Sequence, residues 1–199
     1  MNFLAHLFLT SNQPEKVVMG NFIADAVKGK KGLEAYDKSF QLGIKIHREI
    51  DSFTDSHMLF QKGTKRLHTN YGKFSPIIMD IYYDHILASN WDHYSELPLQ
   101  EFARSQYELI ERHYTYLPER TKLWFGFMKT HDLLFNYKKE EGIDFVFKRM
   151  DTRTGGISGM RTAINELREF KGEYTDEFEV FFGEIRVHLG ERFFKIIND

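Results

Sequence analysis

Lys38-Ser39-Phe40-Gln41-Leu42-Gly43-Ile44-Lys45-Ile46-His47-Arg48-Glu49-Ile50-Asp51-Ser52-Phe53 is the stretch whose reading decides the fold class. Phe40, Ile44, His47 and Asp51 recur at three- and four-residue steps, and Leu42, Ile46, Ile50 and Phe53 form an apolar stripe beside them. That is the period of an amphipathic helix, not of a strand. The period returns between Pro76 and Trp91 through Ile77, Ile81, Asp84 and Leu87, and Leu99 to Tyr116 and Glu177 to Ile197 read as two further helices. Valine is scarce, and the four prolines, Pro14, Pro76, Pro98 and Pro118, stand where helices would start. Glycine and polar residues mark breaks at Gly29 to Gly32, Asn70 to Lys73, Tyr94 to Pro98 and Thr152 to Gly159, none of them long enough for a domain linker. The expected architecture is all-α: a single helical domain over residues 1–199, built from about eight helices with no sheet.

With 199 residues, 42% hydrophobic and 28% charged, the chain can bury a core of its own. Most of its 19 phenylalanines fall on the apolar helical faces and read as packing. There is no cysteine, so disulfides, thiolate metal sites and a cysteine nucleophile are excluded together, and any metal must sit on nitrogen and oxygen. The opening run lacks a basic start and a small-residue cleavage site, which predicts no secretory leader. No uncharged apolar run reaches the length of a membrane span. A cytoplasmic protein is therefore expected. The formal charge is -2, with 27 basic against 29 acidic side chains, so no global field draws the chain to nucleic acid.

Imidazoles and carboxylates concentrate in the first half. His47, Asp51 and Asp55 are four apart and stack along one helical face. Asp80 and Asp84 repeat the spacing on a second segment, with His85 about 100° round the helix. Asn21 and Asp25 repeat it again upstream, and His6, flanked by Ala5 and Leu7, reads first as a core histidine and second as a ligand. Two such faces packed together would cage a divalent ion: manganese first, with magnesium, iron or zinc as alternatives. Such an ion would lower the pKa of a bound water and neutralise charge on a phosphoryl oxygen. The competing reading of either helix alone is a hydrogen-bonded Asp–His pair on a wet face, and Asp55 reads equally as a cap for the next helix. His57, His68, His93, His113, His131 and His188 read as surface or structural. Lys28, Lys30, Lys31, Lys45 and Arg48 form the densest basic set near these residues, suited either to solvation or to phosphate and acidic partners.

Four blocks, in order, resemble the acyl carrier protein phosphodiesterases. They are Met1-Asn2-Phe3-Leu4-Ala5-His6-Leu7, then Gly20-Asn21 with Asp25 and Lys28-Gly29, then Gly43-Ile44, His47-Arg48, Ile50-Asp51 and Thr54-Asp55, then Asp80, Asp84-His85, Leu87 and Trp91. The resemblance implies a helical fold distantly akin to the HD hydrolases. It also implies a manganese-dependent removal of 4′-phosphopantetheine from the serine of holo acyl carrier protein. On it, the family's essential aspartate falls on Asp25. His47, Asp51, Asp84 and His85 join Asp25 as expected metal ligands, and Arg48, Lys28 and His6 as expected catalytic groups. The order Asp84-His85 departs from the His-Asp doublet of HD hydrolases, so their ligand assignments do not transfer. Two other readings stand beside this one: an HD-like nucleotide phosphohydrolase, and a non-catalytic helical binding protein whose acid–histidine faces are structural networks.

Overall fold

The computed structural model describes residues 2–198, with side chains to residue 192; Met1, which opens the first resembling block, lies outside the described residues. Twelve α-helices and no strand occur among them: α1 (Phe3–Thr10), α2 (Glu15–Ile23), α3 (Gly29–Glu34), α4 (Lys38–Ser56), α5 (Met58–Tyr71), α6 (Ser75–Ser89), α7 (Leu99–Arg112), α8 (Glu119–Thr130), α9 (Leu133–Asn136), α10 (Glu140–Arg153), α11 (Ala163–Glu169) and α12 (Lys171–Asn198). Eight of these exceed eight residues. No helix among the described residues is long and apolar enough to cross a membrane.

Each proline does what its fixed φ allows. Pro14, Pro98 and Pro118 immediately precede α2, α7 and α8, and Pro76 is the second residue of α6. α4 begins at Asp37, whose carboxylate accepts the backbone N–H of Ser39 (3.0 Å) and Phe40 (3.2 Å). It runs three residues past Phe53, which puts Asp55 on the same helix as His47 and Asp51. The cap of α5 is not Asp55 but His57, whose Nδ1 accepts the N–H of Leu59. The expected break at Gly29 is the start of α3, entered through a left-handed φ of 65°. The helix expected from Leu99 to Tyr116 stops at Arg112 and gives way to a 3-10 turn.

α6 is the axis of the core. Ile78, Met79, Ile81, Tyr82, Tyr83, Ile86 and Leu87 are all buried, so it is apolar around most of its circumference, with Asp80 and Asp84 on the remaining side. α12 covers one side through Phe178, Phe181 and Phe182, with Phe181 4.9 Å from the Tyr83 ring. α5, α1 and α10 cover others.

α2 and α4 cross almost backbone to backbone. A Cβ on Gly20 would sit 2.1 Å from the Phe40 carbonyl oxygen, and one on Gly43 would sit 2.0 Å from the Val17 oxygen and 2.7 Å from the Asn21 nitrogen. Only glycine permits that approach. Gly43→Ala is expected to destabilise the fold by about 1–3 kcal/mol, the usual cost of over-packing, whereas Gly126→Ala on exposed α8 should be neutral or stabilise by up to about 1 kcal/mol. Urea denaturation of both variants checks this; equal midpoints would show that the crossing yields without strain.

Candidate metal centre

The crossing places Asn21 of α2 beside His47 of α4, and α1 adds His6. Asn21 is fully buried, and its Oδ1 lies 3.0 Å from His6 Nδ1 and 3.1 Å from His47 Nδ1. Its Nδ2 donates to the His6 carbonyl (2.7 Å) and to Thr10 Oγ1 (2.9 Å). The two rings stack at 4.1 Å, and one turn further along α4 Asp51 faces both: its two oxygens lie 3.1 Å from His6 Nε2 and 3.1 Å from His47 Nε2. His6, His47 and Asp51 offer ligand atoms that all lie within 4.8 Å of one another.

Both Nε2 atoms are buried and, despite the 3.1 Å approaches, neither makes a hydrogen bond of acceptable geometry. With Nδ1 directed at an amide oxygen, neutral rings turn two lone pairs and a carboxylate toward one point. That arrangement is repulsive unless positive charge sits there. In the absence of a cation a proton supplies it. Burial pulls His47 down, but Asp25 and Asp51 outweigh burial and raise it to about 9. Burial and then the neighbouring His47 lower His6 to about 4. Burial opposes ionisation of Asp51, yet the two imidazoles hold its carboxyl well below the usual range. Orphaned nitrogens facing a carboxylate are what a divalent cation needs, so the residues present fit a metal ion.

A cavity of about 200 Å³ opens beside this cluster, walled by Phe3, Phe22, Asp25, Asp55 and Asp80 among others. Asp25, expected first among the ligands, stands at the rim in the 3-10 turn after α2. It is largely exposed, 3.5 Å from His47 Nε2, with its pKa lowered chiefly by that ring. Asp55 and Asp80 are on the wall, and burial raises the pKa of both.

Two expected ligands are not brought to the cluster. Asp84 is fully buried, and its Oδ2 and Oδ1 accept the backbone N–H groups of Leu4 (2.8 Å) and Ala5 (3.1 Å). It satisfies the free donors at the start of α1, with burial pushing its own pKa up to about 7. His85 Nδ1 meets the Tyr137 carbonyl oxygen at 2.7 Å, away from the cavity. His6, expected first as a core histidine and second as a ligand, stands with His47 and Asp51 in the cluster. Lys28 and Arg48 do not line the cavity: Lys28 is exposed just before α3, and Arg48 Nη2 donates to the Val27 carbonyl at 3.4 Å. Thr10 escaped the sequence reading; its only signal is a four-residue step from His6.

Comparison with known proteins bears on the whole chain. The family model described as acyl carrier protein phosphodiesterase matches residues 1–185. A protein of that name from Photorhabdus laumondii is 31% identical over 186 residues, covering 92% of this chain and 91% of its own. Those from Pectobacterium atrosepticum and Yersinia pestis are 28% and 27% identical over 183 residues, covering 92% of this chain and 92% and 94% of theirs. No solved structure matches the chain, so the distant HD kinship rests on the resemblance of sequence alone.

Asp84→Asn and Asp51→Asn separate a cap from a ligand. The first replaces one acceptor by a donor facing a buried N–H and should cost about 1–3 kcal/mol of stability while leaving the cation affinity of the folded protein unchanged. The second should weaken cation binding, whatever it costs in stability through the lost His47–Asp51 pair. Denaturation and calorimetric titration with manganese read both, and an Asp84→Asn protein of full stability without cation binding would reverse the assignment.

Proposed function

Because the chain belongs to the acyl carrier protein phosphodiesterase family, we propose that it is a metal-dependent phosphodiester hydrolase that removes 4′-phosphopantetheine from the serine of holo acyl carrier protein. The observation that carries the metal dependence is the pair of buried, unbonded Nε2 atoms turned on Asp51. His6, His47 and Asp51 would hold the ion, with Asp25 beside them at the rim. Three protein donors leave coordination positions for water and substrate, the mark of a catalytic rather than a structural site. Two imidazoles and a carboxylate suit manganese, iron or zinc better than magnesium, and family resemblance puts manganese first. A bound ion there supplies a Lewis acid for the phosphoryl oxygens and lowers the pKa of nearby water.

The chain's own groups do the rest. Asp51 holds the two rings in register, and the apolar walls Phe3 and Phe22 keep part of the cavity dry, which strengthens every charge interaction inside it. Asp25 and Asp55 on the cavity wall would take a proton from the attacking water and return one to the departing serine oxygen. Lys28, Lys30 and Lys31, close to Asp25 in the chain, and Lys45 and Arg48 on α4 are all exposed and would meet an acidic carrier.

The purified protein incubated with holo carrier and manganese should strip the arm, read as loss of mass from the carrier. Asp51→Asn should slow this at least as much as the about 10–100-fold typical of lost supporting contacts around a metal. Asp25→Ala should slow it too; full turnover of Asp25→Ala with metal bound would sink this scheme.

The docking reading has its own check. Raising ionic strength from about 0.05 M to about 0.2 M should cut the rate on the carrier several-fold and leave a small phosphodiester nearly unaffected. Equal sensitivity of the two substrates would remove the basic rim from the account.

A further inference from the structure

Asn21 contributes no ligand atom, yet more of the centre's hydrogen bonds end on it than on any ligand. We infer that Asn21 is the positioning residue that sets both imidazoles in the one tautomer able to bind a cation, and that Thr10 is what aims Asn21. This rests on the cation site proposed above.

The orientation of the amide follows from its partners. A backbone carbonyl can only accept, so the atom 2.7 Å from the His6 oxygen is Nδ2. Thr10 Oγ1 spends its own proton on the same carbonyl, at 2.9 Å, and therefore meets Nδ2 with a lone pair. Both amide hydrogens are thereby placed, and Oδ1 must face the rings. An oxygen there obliges His6 Nδ1 and His47 Nδ1 each to carry a hydrogen, because an acceptor facing a bare ring nitrogen would leave two lone pairs opposed. The neutral rings then have their Nε2 lone pairs free, and these are the two atoms turned on Asp51.

The reversed amide would do the opposite. Its NH₂ group would donate to both Nδ1 atoms, the ring hydrogens would move to Nε2, and the lone pairs a cation needs would be occupied. Asn21 and Thr10 are both fully buried, so water is not at hand to replace either anchor. Metal-bound imidazoles commonly donate their second nitrogen to an acceptor; here one oxygen serves two rings, which keeps them parallel at 4.1 Å. Aspartate at this position would keep the acceptor but lose both donors, and glutamine would be one methylene too long for a site this crowded.

The test is protein carrying ¹⁵N-labelled histidine and loaded with Zn²⁺, read by long-range ¹H–¹⁵N correlation, together with Zn²⁺ and Mn²⁺ titrations of the wild type, Asn21→Ala, Thr10→Val and Thr10→Ser. In the wild type both rings should show a protonated Nδ1 and a metal-bound Nε2. Asn21→Ala should weaken binding about 10–100-fold, Thr10→Val toward the lower end of that range, and Thr10→Ser, which keeps the hydroxyl, should bind as the wild type does. If Asn21→Ala does not fold, the Thr10 pair decides alone. A proton on Nε2 of either ring, or equal affinity in all the variants, overturns the role of Asn21 while the cation site stands. A wild type that binds neither ion overturns both.

Discussion

The α2–α4 crossing can be this close only because positions 20 and 43 carry no side chain. Phe40 O and Val17 O each occupy space that a methyl group would need, and the Asn21 backbone lies directly against Gly43. That contact fixes where α2 stands relative to α4, and with it the distance from the Asn21 amide to the His47 ring. α1 is then tied to α2 by Asn21 and Thr10, and to α6 by Asp84. Three helices are thus registered to within hydrogen-bond tolerance at one point. The geometry of the His6, His47 and Asp51 cluster is a consequence of backbone packing, because both imidazoles and the Asn21 amide between them are buried once the helices are in place.

The same packing makes the centre electrostatically demanding. Two imidazoles and Asp51 face one another where little solvent reaches, with Asp25, Asp55 and Asp80 around the adjoining cavity. Two carboxylates, Asp51 and Asp25, face the buried His47 ring, and the rise of His47 against its own burial shows how strongly this cluster calls for positive charge. Asp84 lies nearby in the sequence pattern but answers a different demand. It accepts the buried N–H groups at the N-terminus of α1, so both its oxygens are already committed. Two aspartates of similar local pattern therefore have opposite pKa shifts: Asp51 is held low by the imidazoles of His47 and His6 against its burial, and Asp84 is raised by burial.

What was legible in the sequence follows from the range of the interaction. His47, Asp51 and Asp55 share a helical face, and a four-residue step is enough to see it. The prolines likewise act on their own helix. Asp84 has the same spacing from Asp80, but its role is set by Leu4 and Ala5, 80 and 79 residues away, and no local period carries that. His57, His113 and His188 looked partnerless along the chain, yet each pairs with a glutamate 127, 98 or 139 residues distant. His6 was ambiguous for another reason: α1 is buried nearly throughout, so a ligand and a core histidine have the same surroundings in sequence. The four blocks of resemblance fall on α1, α2 and the turn after it, α4 and α6; the geometry brings His6, His47 and Asp51 together and leaves Asp84 and His85 bonded elsewhere.

The second half of the chain carries no recognisable block, and its contribution shows in Tyr137. The Tyr137 hydroxyl accepts from Asn2 Nδ2 at 3.0 Å, at the mouth of α1, while its carbonyl oxygen meets His85 Nδ1 at 2.7 Å on α6. One buried residue just past α9 thereby holds both helices that Asp84 joins. α8 adds Trp124, whose ring lies 5.7 Å from Phe3 on the cavity wall. These contacts reach the centre through side chains one step removed from any ligand. Packing of this kind asks for shape and a single polar match rather than a spaced motif, and many sequences satisfy it. The second half thus braces α1 and α6 from outside, while every residue lining the cavity comes from the first half.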